Sequence, residues 1–261
     1  MPHLTVSFDE IATIVLDRPP QNRIDDQMVD ELAAAVTAIE RSDARAVLLR
    51  SEGENFSLGG DIMSWPDASI QSLRERFGYY MSVFNRFERL PMPVVAAVQG
   101  LCFGGGFELA LRADMIFAGE SASFGHPEQS LGIVTVLGGV YRAAERAGRS
   151  RASEWALTSE RVPAATMERF GIVNRVVPDA TLVQEARAFA QKVALGPTRA
   201  SAAHKALLRA WAVGGVSSAD EAMLDIAMPL FETDDVRRGL KSAVDALKAG
   251  KPRPVLDFKG R

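Results

Sequence analysis

The feature that most restricts the fold is a repeated local pattern: a short apolar run, then a glycine-containing loop, then a helical stretch. Residues 46–49 lead into a glycine-rich loop over 52–62. Residues 93–98 lead through Gln99-Gly100 to Gly104-Gly105-Gly106. Runs that are apolar at every position have no face for water, so they must be strands buried on both sides, the habit of parallel sheets covered by helices. The flanking segments agree. Residues 4–8 and 11–16 form a hairpin turned at Asp9-Glu10 and stopped by Asp17-Arg18-Pro19-Pro20. Asp25 or Asp26 caps a helix with Met28, Val29, Leu32, Val36 and Ile39 at helical spacing. Helices are expected over 69–89 and 107–112, and a strand over 115–118. The class is α/β with mainly parallel strands.

Beyond Gly148 the composition turns Ala-rich and helical, with segments expected at 150–158, 163–170, 181–194, 197–211, 218–231 and 234–248, and one strand at 173–177. Helices with a single apolar stripe must bury it against the core or a neighbouring subunit. The chain therefore divides into a core domain, 1–195, and a C-terminal helical segment, 196–261. The basic stretch from Arg142 to Arg151 is interrupted by Glu145 and is expected to be a solvated helix face.

Composition removes whole classes of function. With 30 Lys+Arg against 33 Asp+Glu and a net charge of −3, the chain lacks a cationic excess to neutralise phosphates, so no nucleic acid is expected as partner. Cys102 is the single cysteine and there are three histidines, which excludes an internal disulfide and a Cys/His zinc cluster. A metal-free protein of a reducing compartment, cytoplasmic, is the expectation, with Cys102 a small buried hydrophobe. The most apolar stretch, 131–140, is too short for a membrane span. Phosphate-loop, zinc-protease and serine-elbow motifs are absent, and Leu109 stands where a dinucleotide fingerprint needs glycine.

What remains is two loops and two acids. Glycines at strand ends let backbone N–H groups approach a ligand, and a helix start at Gly105-Gly106 adds unpaired donors and a favourable dipole. Donors from two loops can form an oxyanion hole. Glu108 falls in the first turn of that helix, with Arg112 at i,i+4 as an ion-pair partner. Glu128 lies twenty residues beyond, after Phe124-Gly125-His126-Pro127.

In combination these motifs resemble the enoyl-CoA hydratase/isomerase family, the crotonases. The family's F-x-x-G-x-D loop is similar to Phe56-Ser57-Leu58-Gly59-Gly60-Asp61. Its G-G-G-x-E-L-A segment is similar to Gly104-Gly105-Gly106-Phe107-Glu108-Leu109-Ala110, and Asp114, Ala118, Phe124, Pro127 and Glu128 continue the match. The resemblance extends from Leu16-Asp17-Arg18-Pro19 to the stretch from Phe231 to Gly239. It implies a crotonase-like spiral of ββα units, a homotrimer or dimer of trimers, and an acyl-CoA substrate with no cofactor beyond the coenzyme A it carries. By the same resemblance the N–H groups of Gly60 and Gly105 form the oxyanion hole, and Glu108 and Glu128 are the catalytic carboxylates. The coenzyme would run near Leu58, Asp61 and Ile62, with Arg23 and Lys248 or Lys251 at its phosphates. Met63, Trp65, Met81 and Phe84 are candidates for an acyl pocket.

Two departures stand out. The family's Pro-Gly after the second glutamate is Thr135-Val136 here, so a valine side chain narrows the space beside Glu128. His126 replaces a frequent glutamine and is expected either to bond backbone as a loop histidine or to tune Glu128 and contact the acyl chain. With both acids retained, hydration of a 2-enoyl-CoA is the leading expectation. Double-bond isomerisation and thioester hydrolysis are alternatives on the same scaffold, and a non-catalytic acyl-CoA or RNA-binding relative is an alternative of another class.

Overall fold

The structure is a computed structural model and describes residues 1–260. Its main sheet has six strands in the order β1-β2-β3-β4-β6-β9: β1 Leu4–Phe8, β2 Ala12–Leu16, β3 Val47–Ser51, β4 Val94–Val98, β6 Met115–Gly119 and β9 Arg175–Val177. Only the β1/β2 hairpin is antiparallel; every later pairing in this sheet is parallel. Both faces are buried, as the apolar runs require. Val94, Ala96 and Val98 of β4 belong to one core cluster, with α1 (Asp26–Glu40), α2 (Ile70–Glu88) and α3 (Gly105–Ala110). Val95 and Ala97 belong to a second, with α7 (Leu182–Ala194), which packs on the opposite face. Asp25 caps α1, its side chain accepting the Met28 N–H at 2.9 Å.

A second sheet, β5 (Leu101–Phe103), β7 (Ser123–Gly125) and β8 (Val162–Pro163), was not foreseen. These strands have two or three residues each, too few to show a period. They turn the chain into a spiral. Each turn runs through a main-sheet strand, then a short strand or bridge in the second layer, then a helix: β4, β5, α3 is one turn. The turn before it uses a bridge between Ser57 and Cys102 on its way to α2.

Helix α4 (Gly139–Ala147) overturns the solvated reading of its arginines. Arg142 chelates Glu88 at 2.7 and 2.6 Å, and Arg146 caps the carbonyls of Leu111 and Ala113 at 3.0 and 2.6 Å. Arg149 and Arg151, in α5 (Arg149–Thr158), are exposed as expected. Between α5 and α7 lies the short α6 (Ala164–Arg169). The two helices expected at 197–211 and 218–231 are one element, α8 (Thr198–Ala227), kinked at Gly214 and Gly215. Lys205 ties α8 to the core by a 2.7 Å pair with Asp114. Helix α9 (Asp234–Ala249) follows. Among the described residues no helix is long and apolar enough to cross a membrane.

Candidate active site

The first glycine loop is stitched on every side. Ser57 N–H donates to Leu101 O at 3.1 Å, Phe103 N–H returns to Ser57 O at 2.9 Å, and Ser57 Oγ donates to Asn22 O at 2.7 Å. Ile24 and Asp61 complete a bridge across Gly59 and Gly60 (Ile24 N–H to Gly59 O, 2.9 Å; Asp61 N–H to Ile24 O, 2.8 Å). Arg18 fixes the end of the loop through a 2.8 Å ion pair that holds the Asp61 carboxyl below its ordinary range. Gly59 has φ +91°, and a Cβ there would meet Phe103 O at 2.9 Å, so only glycine lets the loop lie this close to β5.

This stitching leaves the Gly60 N–H without a partner among the described residues. The Gly105 N–H is the first of α3, and helical geometry gives it none. The two amides adjoin: a Cβ on Gly105 would sit 3.5 Å from the Gly60 nitrogen. Two unpaired donors from separate loops thus border one cavity of about 300 Å³, together with Glu108 and Glu128.

Glu108 is 1 % exposed. Its Oε1 accepts two backbone bonds, from Leu137 at 2.8 Å and Gly139 at 2.9 Å. Burial, and next the neighbouring Glu128 charge, push its pKa up to about 7 against those two donors and Arg112. The expected Glu108–Arg112 ion pair is not formed. Arg112 instead donates to Asn85 at 2.6 Å, Glu88 at 3.2 Å and Leu137 O at 2.6 Å. It therefore braces the peptide that lies between the two whose N–H groups hold Glu108. Glu128 lies in a 3₁₀ turn, Pro127–Leu131. Burial raises its pKa as well, and its Oε2 has no hydrogen-bond partner among the described residues.

The rest of the lining is apolar. Ile24, Ile62, Trp65, Phe77 and Tyr80 contribute from the first loop, its surroundings and α2, while Leu131, Ile133, Val134, Val136 and Leu137 contribute from the segment after Glu128. Arg23 and Leu58 also border the cavity, and Arg23 donates to Gly60 O at 3.2 Å. Several expected residues are elsewhere. Met63 is 83 % exposed, and Asp61 is spent on Arg18. Phe84 is wholly in the core and Met81 packs against it; the cavity is met one turn earlier, by Phe77 and Tyr80, which share their helical stripe. Lys248 and Lys251 do not border the cavity. Cys102 is the buried hydrophobe expected, with burial raising its thiol pKa. His126 is not bonded to backbone and does not line the cavity. It is 2 % exposed, stacked on Phe107 at 4.8 Å, and neutral, burial having lowered its pKa to about 4.

Comparison with known proteins places this geometry. The family model for enoyl-CoA hydratase/isomerase matches residues 8–250. A mitochondrial enoyl-CoA hydratase of Pongo abelii is 31% identical over 241 residues, covering 92% of this chain and 82% of the relative. A carnitinyl-CoA dehydratase of Salmonella typhi is 37% identical over 210 residues, 80% of each chain. The crystal structure of an enoyl-CoA hydratase from Bacillus anthracis superposes with TM-score 0.89 at 27% identity, covering 99% of this chain and 100% of that one. The spiral that brings the two glycine loops and the two glutamates together is the fold of the superposed hydratase, and the chain belongs to the enoyl-CoA hydratase/isomerase family.

Proposed function

We propose that the protein is an enoyl-CoA hydratase, adding water across the C2–C3 double bond of a 2-enoyl-CoA. The observation that carries this reading is the convergence of one buried and one half-buried carboxyl and two unpaired N–H groups on one otherwise apolar cavity. As water adds to C3, charge moves onto the thioester oxygen, where the Gly60 and Gly105 N–H groups stabilise the enolate. Glu108, whose Oε1 is gripped by two backbone donors, takes the proton from water, and Glu128, whose Oε2 has no partner among the described residues, gives a proton to C2. A proton shift from Glu108 back to Glu128 restores the pair. No step needs a metal or redox cofactor.

The apolar walls favour an acyl group without polar substituents, and Arg23 is the cation placed to meet the coenzyme. A homotrimer or dimer of trimers is the assembly we favour, because α8 has no fully buried residue and exposes Leu208, Val213, Val216 and Leu224. The single reduced cysteine suits the cytoplasm. Crotonyl-CoA supplied to the pure protein should lose its enoyl-thioester absorbance and gain the mass of one water. A product of unchanged mass makes the protein an isomerase, and release of free CoA makes it a thioesterase.

A further inference from the structure

Buried polar atoms normally find partners, and those that do not call for a reason. Three such orphans in this molecule are neighbours: Nδ1 and Nε2 of His126 and Oε2 of Glu128. The imidazole is stacked on Phe107 with an interplanar angle of 29°, which fixes its plane. Its Cε1–Nε2 edge lies against Gly139, where a Cβ would fall 2.3 Å from Cε1 of His126 and 2.9 Å from Cγ of Glu108. The ring is therefore held by Phe107 on its face and by Gly139, whose N–H holds Glu108, at its Cε1–Nε2 edge, with Nδ1 3.9 Å from Glu128 Oε2. Glu128 Oε1 lies 2.9 Å from where a side chain on Gly104, the residue before α3, would begin.

We propose that His126 is a positioning residue for Glu128: as the neutral imidazole it donates Nδ1–H to Oε2 and so presents Oε1 to the carbon that is protonated. This deepens the hydratase reading and rests on it for the identity of that carbon. An approach of about 1 Å converts the present separation into a hydrogen bond. The tautomer follows from the surroundings: a proton on Nδ1 meets an acceptor, whereas a proton on Nε2 would leave a buried donor orphaned against Gly139. Once Glu128 has given up its proton, the same N–H stabilises the carboxylate that remains.

The other charges near the ring are committed. Arg112 serves Asn85, Glu88 and Leu137, Arg142 serves Glu88, and Arg146 serves carbonyls. Arg151 and Glu154 of α5 pair with each other. Glu108 and Glu128 are the carboxyls beside the ring, and Glu160 meets the preceding Gly125 through its backbone carbonyl.

The test uses His126→Phe, which keeps the stacking on Phe107 and removes both nitrogens, and His126→Gln, which restores an N–H donor. With crotonyl-CoA, His126→Phe should lower kcat by about 10–100-fold, the scale of a carboxyl misplaced by an ångström, with KM nearly unchanged. The alkaline limb of its pH profile should move upward, because Glu128 loses a donor to its ionised form. His126→Gln should recover most of kcat and the wild-type limb. A second readout needs no turnover: the Glu128 carboxyl, followed by carbon-13 NMR, should titrate higher in His126→Phe than in wild type and His126→Gln. Equal titration in all three proteins overturns the proposal, as does equal loss of kcat in both variants, which would make the ring mere packing. If wild type fails to hydrate crotonyl-CoA, the hydratase reading falls, while the NMR titration still decides what His126 does to Glu128.

Discussion

The two acid corners of the cavity are built on opposite plans. Glu108 grows from a helix, is sealed from water, and has one oxygen gripped by two backbone N–H groups, with Arg112 bracing the peptide between theirs. Glu128 sits in a single 3₁₀ turn, is less sealed, and has its Oε2 unpartnered. Both carboxyls have pKa values raised by burial, and the neighbouring Glu128 charge raises that of Glu108 further. The difference teaches that backbone geometry alone can set two copies of one side chain in unlike surroundings, one gripped by paired donors and the other left with an open oxygen.

The largest expected effects test that division directly. Glu108→Gln and Glu128→Gln should each cost about 10²–10⁴ in kcat, the usual worth of a proton-transfer group, while acyl-CoA affinity measured by calorimetry stays close to wild type. If only Glu108→Gln is inactive, the Glu128 corner is dispensable and a one-acid isomerase is the better description. Gly139→Ala attacks the hinge between the corners. Its methyl would collide with both His126 and Glu108, so turnover should fall about 100-fold, the cost of an ångström of misplacement. Near-normal turnover in the folded variant would show that the two corners are not mechanically joined.

A thermodynamic test is smaller but separates the corners without any substrate. An acid whose pKa rises on folding, here Glu108 from its ordinary 4.5 to about 7, binds more protons folded than unfolded between those values. Stability must therefore fall as pH rises through that window, by on the order of 3 kcal/mol once above it. Glu108→Gln should flatten this slope, so that the variant melts higher than wild type at pH 8 and similarly at pH 4.5. A variant whose melting curve tracks wild type at every pH would mean that the two backbone donors already offset the burial of the charge.

Much of this was legible in the residues. The consecutive apolar positions of β3 and β4 announced a two-sided sheet, and the glycines after them announced backbone left open to a ligand. Three things were not legible. Strands of two or three residues carry no period, so the second layer and the spiral it makes were invisible without the family resemblance. The partners of Arg112, Arg142 and Arg146 are carbonyls and a distant glutamate, Glu88 on α2, which sequence spacing cannot pair. The acyl-facing turn of α2 was misjudged by one turn because Phe77, Tyr80, Met81 and Phe84 share one stripe; which end meets the cavity depends on how the helix is inclined, not on its pattern.

Val136 offers the finest test of the Glu108 corner. It precedes Leu137, whose N–H holds the carboxylate, and its side chain both lines the cavity and packs against the core. Glycine there would remove a stiff β-branched side chain from the cavity wall and free the peptide that positions Glu108. Backbone entropy alone costs about 0.5–1 kcal/mol, and the lost contact adds to it. Melting should drop by several degrees, at about 2–4 °C per kcal/mol for a chain of this size. The vacated space should raise kcat/KM a few-fold for enoyl-CoAs bearing a bulky group at C3 and leave crotonyl-CoA nearly as before, since a methyl already fits. If crotonyl-CoA suffers as much as the bulky substrates gain, the valine serves chiefly to stiffen the strap that holds Glu108. If melting falls and neither substrate responds, Val136 is packing, and the narrowing of the cavity by this side chain has no part in selecting what the enzyme hydrates.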